Sequence, residues 1–321
     1  MLYRPFLREA WRLTWERKSL WIFGIFAALI STGGVVDVVW RALERVERTQ
    51  SLLEDLANTS FIGYDLAASY IGQMAVLGPE RTSFIVIVAT LVGVLLVIMA
   101  TLCQGALVLG IRAKTHQDPY ELRQQASRHF WSLFLIGILN KLLMLILVVL
   151  MTLTLLLASL STTIGHAALF LLLMLLFIPT TIVVNIIYLF AIIDVVENNS
   201  HPLHAIQTAA RLFAKQWLAA FEYGALLFFV VLGAGVVLLL VLALLVVPYS
   251  LLFSTTLLIG SPQIFLAANI VSALVFFAVI LAFGGIVVTF QYSAWYGFYQ
   301  RGLHKTHGKK AFSKILRLAR R

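Results

Sequence analysis

Six long apolar segments dominate the sequence, and each is long enough to cross a lipid bilayer as a helix, which takes about 20 residues. Apolar residues make up 61% of the chain and charged residues 12%, whereas a soluble domain has roughly 45–50% and about 25%. So much apolar surface cannot be buried in one soluble core. The sequence therefore predicts an all-α integral membrane protein with six transmembrane spans, at residues of about 20–39, 83–111, 142–160, 167–193, 217–247 and 264–299.

Polar and proline-containing breaks separate the later spans. Residues 161–163 (Ser-Thr-Thr) divide spans 3 and 4, and Pro248 together with the Gly-Ser-Pro turn at residues 260–262 divides spans 5 and 6. Pro179 falls inside span 4, where a kink is expected that neighbouring helices can tolerate. The breaks thus define a membrane domain over residues 1–302, followed by a basic tail at residues 303–321.

The lysines and arginines are distributed unevenly over the connections between spans. Nineteen of the twenty-four lie before span 1, between spans 2 and 3, between spans 4 and 5, or after span 6. The opposite side carries Arg41, Arg45, Arg48 and Arg81. The positive-inside rule therefore places both termini in the cytoplasm. Six tryptophans fall near the same membrane face and predict a cytoplasmic aromatic belt: Trp11, Trp15, Trp21, Trp131, Trp217 and Trp295.

Two kinds of amphipathic helix are expected outside the spans. The external connection at residues 41–82 has apolar residues at helical spacing and predicts a small external cap or a helix at the outer interface. On the cytoplasmic side, an amphipathic stretch precedes each odd-numbered span, and each contains Ala-x-Arg followed by an aromatic residue. Such stretches predict helices lying in the membrane interface with the arginine toward phosphates. They cover residues 7–13, 122–130 and 205–213.

The recurrence of these stretches suggests an internal repeat. One interfacial helix followed by two spans would form a unit that occurs three times. Units with an even number of spans repeat in parallel orientation. Ala-x-Arg is a short motif, however, and interfacial helices of unrelated origin can share it. Both interpretations therefore remain open.

Three stretches resemble a broad bacterial family of six-span proteins. They are residues 10–24 at the entry to span 1, residues 202–213 before span 5, and the aromatic exit of span 6 at residues 292–299. The family includes the YciC-type inner-membrane proteins and the membrane domain attached to some glycerophosphoryl diester phosphodiesterases. The resemblance implies a bacterial inner-membrane protein with interfacial helices. It implies no catalysis, because the family has no agreed activity and the phosphodiesterase domain is missing from this sequence.

Polar residues within spans are costly in lipid and are therefore candidate functional residues. Two interpretations stay open for those in the cytoplasmic half. They line a cavity for a headgroup or an ion, or they form interhelical hydrogen bonds worth about 0.6 kcal/mol each. The second is favoured. The residues are Gln104, Asn140, Lys141, Asn185, Asp194, Glu222 and Gln291.

The environment predicted for the Lys141 side chain depends on where span 3 begins. If the span starts at Trp131, Lys141 lies about 15 Å along the helix and needs a carboxylate, for which Glu222 and Asp194 are the candidates. If the span starts at Leu142, the ammonium group reaches the interface along its own apolar stem. The second start is favoured because the remaining segment is already long enough to span.

The tail is a basic amphipathic helix next to a membrane span. Its apolar face carries Phe312, Ile315 and Leu316, and basic residues fill much of the rest. Each basic residue near an anionic membrane contributes about 1 kcal/mol. We therefore expect anionic lipid headgroups, rather than nucleic acid, as the partner. The expected headgroup contacts are Arg12, Arg128, Arg211, Lys310, Lys314, Arg317, Arg320 and Arg321.

No enzyme signature was found in the sequence. The zinc-protease, nucleophile-elbow and phosphate-loop motifs are missing, and the two histidine pairs have no third ligand nearby. We therefore expect no catalytic residues, no metal and no cofactor. The expected function is non-enzymatic, in envelope homeostasis, with a protein partner or a homo-oligomer left open. The alternative is a transporter or permease that uses Lys141, Asn185 and Glu222.

Overall fold

The computed structural model describes residues 3–31, 79–113, 118–160 and 164–300, and the regular structure within these ranges is helical. Three short amphipathic helices of 10 to 14 residues occur among them, and each directly precedes a more apolar helix. The helices are α1 (Arg4–Glu16), α2 (Leu20–Ser31), α3 (Pro79–Arg112), α4 (Pro119–Arg128), α5 (Phe130–Leu160), α6 (Ile164–Asn198), α7 (Pro202–Lys215), α8 (Trp217–Ile259) and α9 (Pro262–Gly297).

Five helices are long and apolar enough to cross a membrane, which confirms a helical protein with several potential spans. Their membrane-crossing parts are Arg81–Arg112, Phe130–Thr154, Leu171–Asn198, Trp217–Thr256 and Gln263–Gln300. The predicted span 1 is described only as far as Ser31 in α2. Its remainder, the external connection up to residue 78 and the tail after residue 300 lie outside the described residues, so the sixth span stays a prediction.

Two helix boundaries differ from the sequence prediction. Helix α5 begins at Phe130, twelve residues before the predicted start of the third span at Leu142, so Lys141 lies within a continuous helix. Helix α8 continues through Pro248 to Ile259 instead of ending at the proline. A proline removes one backbone hydrogen bond, but ending the helix in apolar surroundings would leave several backbone groups unpaired. The turn at residues 260–262 does separate α8 from α9, and Gly260 has the positive φ of 66° that favours glycine.

The chain forms two units, one of residues 1–27 with 101–321 and the other of residues 28–100. In the second unit, the described part is mainly the first two thirds of α3. Its apolar side chains are exposed there, among them Phe84, Ile87 and Leu91. An apolar helix surface of this kind suits contact with lipid.

In the first unit, the buried side chains concentrate at one end of the helix bundle. At this end α3, α6 and α9 finish, while α2, α5 and α8 begin, and we call it the polar end. Phe190, Tyr223 and Phe298 are fully or almost fully buried here. Farther along, side chains of α8 such as Leu244 and Leu258 are 72% and 87% exposed.

The three short helices lie at the polar end. Helix α1 packs against α9, and α7 packs against α6. Helix α4 approaches α3, where a side chain at Gly105 would meet the Cβ atom of Ala126 at 3.4 Å. Each short helix buries one alanine of its Ala-x-Arg triplet, namely Ala10, Ala126 and Ala209. Two residues later the arginine is exposed in all three helices, at Arg12, Arg128 and Arg211.

Candidate functional site

An aromatic cluster joins α1 to the polar end. The rings of Tyr223 and Phe298 stack with 4.4 Å between their centroids, and Tyr3 packs against Tyr223 at 5.6 Å. The Tyr3 hydroxyl donates a 2.7 Å hydrogen bond to Oε2 of Glu222, and the Tyr223 hydroxyl donates to the carbonyl of Ala294 at 3.0 Å. Glu222, a member of the predicted polar set, thus accepts a hydrogen bond that ties α1 to α8.

Trp295 belongs to this cluster and does not join the predicted aromatic belt. It is only 4% exposed and packs edge-on against Tyr223 and Phe190, at 5.3 and 5.6 Å. The indole is held inside the bundle because several rings converge there. Four other tryptophans are exposed as a belt would require, namely Trp11, Trp15, Trp131 and Trp217.

Asp194 is a buried carboxylate near the end of α6, with 2% of its surface exposed. Its Oδ1 atom accepts hydrogen bonds from the Tyr299 hydroxyl and from Nδ2 of Asn198, both at 2.8 Å. Its Oδ2 atom is buried and has no hydrogen-bond partner among the described residues. Neutral donors therefore hold one oxygen of this carboxylate, and the other is left unsatisfied.

Glu197 connects the ends of three long helices. Its carboxylate accepts hydrogen bonds from the Tyr296 hydroxyl at 3.1 Å and from Nε2 of Gln300 at 2.8 Å. It also pairs with the guanidinium group of Arg112, with Nε 3.4 Å from Oε2. Arg112 in addition donates to the carbonyl of Val196 at 3.0 Å. This network links α3, α6 and α9 at the polar end.

An open cleft of about 490 Å³ lies beside this network, within the size range of small-molecule sites. Its apolar lining is Leu109 and Val196, and the rest of its lining is polar or charged. Helix α4 supplies one wall, and the ends of α3 and α6 supply the others. The polar lining residues are Arg112, Glu121, Gln124, Gln125, Arg128, His129 and Asn199.

His129 and Asn199 hold two sides of the cleft together. The Nδ1 atom of His129 lies 3.3 Å from the carbonyl oxygen of Gln125, within its own helix. Its Nε2 atom is in hydrogen-bond contact with Oδ1 of Asn199. Asn199 follows the end of α6 with a φ of 54°, a left-handed conformation that asparagine tolerates better than most residues. The end of α6 is thereby joined to the end of α4.

The predicted intramembrane polar residues have different surroundings. Gln104 and Asp194 are buried, and the Tyr188 hydroxyl donates to Oε1 of Gln104 at 3.2 Å. Lys141 and Asn185 are exposed, and Asn185 donates to the carbonyl of Thr181 at 3.0 Å within its own helix. The structure therefore does not enclose the whole set in one buried pocket. The remaining three are half-buried: Asn140, Glu222 and Gln291.

The predicted headgroup contacts that the structure describes are all exposed. Arg12 pairs with Glu16 one turn later, with Nε 3.4 Å from Oε1. Arg128 lines the cleft, and Arg211 lies on the exposed face of α7. The other predicted contacts belong to the tail, outside the described residues: Lys310, Lys314, Arg317, Arg320 and Arg321.

The cleft brings together several residues that the sequence prediction did not select. Arg112, Glu121 and Asn199 are examples. One signal could have found part of it, because Glu121, residues 124–125 and Arg128 are spaced to form one face of a helix. Asn199 could not have been found, because its position depends on a contact across 70 residues. Within the described ranges, no group of three potential metal ligands was found.

No family model, curated protein or solved structure matches this chain. The functional argument therefore rests on the polar end itself.

Proposed function

We propose that this chain is a non-enzymatic, six-span protein of the bacterial inner membrane that engages anionic lipid headgroups in envelope homeostasis. The five long apolar helices support the membrane location. The apolar composition of α2 supports the proposal of a sixth span. The excess of basic residues at the ends of these helices supports cytoplasmic termini. The resemblance of residues 10–24, 202–213 and 292–299 to YciC-type proteins agrees with this proposal.

The observation that carries the lipid proposal is the shared geometry of α1, α4 and α7. Each helix buries an alanine against the bundle and exposes an arginine two residues later. The three exposed guanidinium groups are Arg12, Arg128 and Arg211, all at the polar end. An amphipathic helix in the interface binds anionic lipid through such groups.

The test is binding of purified protein to vesicles of phosphatidylglycerol, of cardiolipin and of phosphatidylcholine. Each basic residue near an anionic surface contributes about 1 kcal/mol, so neutralising three should cost about 3 kcal/mol. The triple variant Arg12→Gln, Arg128→Gln, Arg211→Gln should therefore bind anionic vesicles at least tenfold more weakly. A chain ending at Gly302 measures the contribution of the basic tail.

The matched control is the triple arginine-to-lysine variant at Arg12, Arg128 and Arg211, which keeps the charge. It should bind anionic vesicles like the parent chain, and both should lose binding as salt increases. Equal binding of the parent chain to phosphatidylcholine and phosphatidylglycerol would refute the proposal.

A transporter or permease is the second candidate, and buried polar atoms favour it. Gln104 Nε2, Asp194 Oδ2 and Tyr292 Oη are buried without hydrogen-bond partners among the described residues. Such atoms are usually satisfied by water or by a ligand. If water enters the bundle, a Gln104→Cys substitution in a Cys103→Ala background should react with a membrane-impermeant thiol reagent. Protection of that cysteine from the cytoplasmic side would count against transport through this region.

A further inference from the structure

Helix α4 has three different faces. Leu122 and Ala126 are buried against the bundle, with 2% and 0% of their surfaces exposed. Arg123 is exposed and does not line the cleft. The third face, at Glu121, residues 124–125 and Arg128, lines the cleft. A helix places residues at spacings of three, four and seven on one side, so these side chains form a continuous polar stripe.

Positive and negative groups both line this cleft. Arg128 and Arg112 contribute guanidinium groups, and Arg112 is already paired with Glu197. Glu121 contributes a carboxylate. The ends of α3 and α6 also border the cleft, and helix C-termini carry partial negative charge that disfavours a bare anion. The matching ligand therefore has an anionic group beside groups that donate hydrogen bonds.

We propose that the cleft binds the headgroup of a glycerophospholipid that carries both a phosphodiester and hydrogen-bond donors, such as an ethanolamine ammonium group or glycerol hydroxyls. This inference rests on the proposed function, the engagement of lipid headgroups, and it specifies the chemical class of headgroup that is bound. Arg128 binds the phosphate oxygens, because a guanidinium fork matches them. Glu121 accepts hydrogen bonds from the ammonium or hydroxyl groups, and Gln124 lies between the two.

The length of the stripe suits such a headgroup. Glu121 and Arg128 are seven residues apart, which corresponds to about 10.5 Å along a helix axis. Two long side chains can converge from this separation on a phosphate and on a donor a few atoms away. A choline group has no hydrogen to donate, so it leaves the Glu121 carboxylate without a hydrogen-bond partner in the complex. The cleft should therefore distinguish ethanolamine from choline, although both headgroups are zwitterionic.

The experiment measures binding of the purified full chain in detergent to short-chain lipids by native mass spectrometry. The lipids are phosphatidylethanolamine, phosphatidylglycerol, phosphatidic acid and phosphatidylcholine. Arg128→Gln should weaken binding of the first three about tenfold, because it removes a charge-assisted hydrogen bond to phosphate. Glu121→Gln should weaken the binding of phosphatidylethanolamine and phosphatidylglycerol but not that of phosphatidic acid. Arg123→Gln is the matched control on the same helix and should leave binding unchanged.

Equal effects of Arg128→Gln and Arg123→Gln would overturn the inference, and so would equal binding of phosphatidylcholine and phosphatidylethanolamine. Glycerophosphoethanolamine, which lacks acyl chains, should bind far more weakly than the lipid. Binding as tight as that of the lipid would assign the cleft to a soluble ligand and overturn the lipid assignment. Loss of the preference for anionic vesicles, with the Arg128 dependence retained, would refute the proposed function alone.

Discussion

At the scale of single residues, the buried carboxylate of Asp194 shows how the polar end is stabilised. Its hydrogen bonds come from Tyr299 and Asn198, which are neutral donors. Burying a carboxylate without such donors is very costly. The Tyr299 hydroxyl therefore stabilises both the buried side chain of Asp194 and the contact between α6 and the end of α9.

Replacing Tyr299 by phenylalanine should destabilise the protein by about 1–3 kcal/mol, because the substitution leaves a buried acceptor less satisfied. Unfolding in detergent micelles, followed by tryptophan fluorescence, measures the effect. Tyr120→Phe is the control, since Tyr120 is 68% exposed. The double-mutant cycle with Asp194→Asn should give a coupling energy of at least about 0.5 kcal/mol. Additive effects would mean that the hydrogen bond contributes little.

Residue environments were predictable from sequence only where they follow from local periodicity. The exposure of Arg12, Arg128 and Arg211 follows from the amphipathic pattern of the short helices. The contact between Tyr3 and Glu222 joins residues 219 positions apart, and no local pattern indicates it. Burial of Trp295 likewise depends on rings supplied by other helices.

At the scale of elements, α2 and α9 make an unusually close contact through two glycines. A Cβ atom added at Gly285 would lie 2.6 Å from Cγ1 of Ile25 and 2.8 Å from the carbonyl oxygen of Trp21. A Cβ atom at Gly24 would clash with the carbonyl oxygen of Gly285. Small residues allow helix backbones to approach closely, which is how many membrane helices associate.

Gly285→Ala should destabilise the protein by about 1–3 kcal/mol, the usual cost of overpacking, because the backbone of α2 must move. Gly233→Ala is the matched control, since a Cβ atom there meets nothing within 4 Å. The Gly233→Ala variant should instead be more stable than the parent chain, by up to about 1 kcal/mol, because alanine favours the helix α8. Thermal unfolding in the same detergent compares the two. An unchanged stability of the Gly285→Ala variant would contradict a close contact between the backbones of α2 and α9.

The sequence predicted the existence of the long helices better than their ends. Apolar length alone identified α3, α5, α6, α8 and α9. The third span was predicted to begin at Leu142 because residues 142–160 are already long enough to cross a bilayer, whereas helix α5 begins at Phe130. The end of α8 was misplaced because Pro248 was treated as a helix terminator, although its surroundings are apolar. In lipid, the requirement to pair backbone groups outweighs the local preference of proline.

At the scale of the whole molecule, the proposed topology has a direct test. In a Cys103→Ala background, single cysteines replace Ser127 in α4 and Ile259 at the end of α8, both of which are exposed. A membrane-impermeant maleimide added to intact cells should label the cysteine at position 259, because the positive-inside rule places it outside. The cysteine at position 127 should react only after the membrane is permeabilised. Labelling of both in intact cells would contradict the topology.

The interior of the polar end was the least predictable part of the molecule. The sequence identified Gln104, Asp194 and Glu222 as polar residues worth explaining, but it gave them no partners. Their partners are tyrosines on other helices, Tyr188, Tyr299 and Tyr3. Tyrosine is common in apolar spans, so composition gives no hint of these pairings.

The packing of α1 against α9 has a consequence for biosynthesis. A protein chain is synthesised from its N-terminus, so α1 is made long before α9, on which it packs. The rings of Tyr3 and Phe6 therefore lack their contact with Phe298 until translation has reached that residue. Chains that end before Phe298 retain Tyr223 of α8 as an aromatic partner for these two rings but lack Phe298, and apolar surface left exposed promotes aggregation. The contact between α1 and α9 therefore forms only after the last described helix has been made.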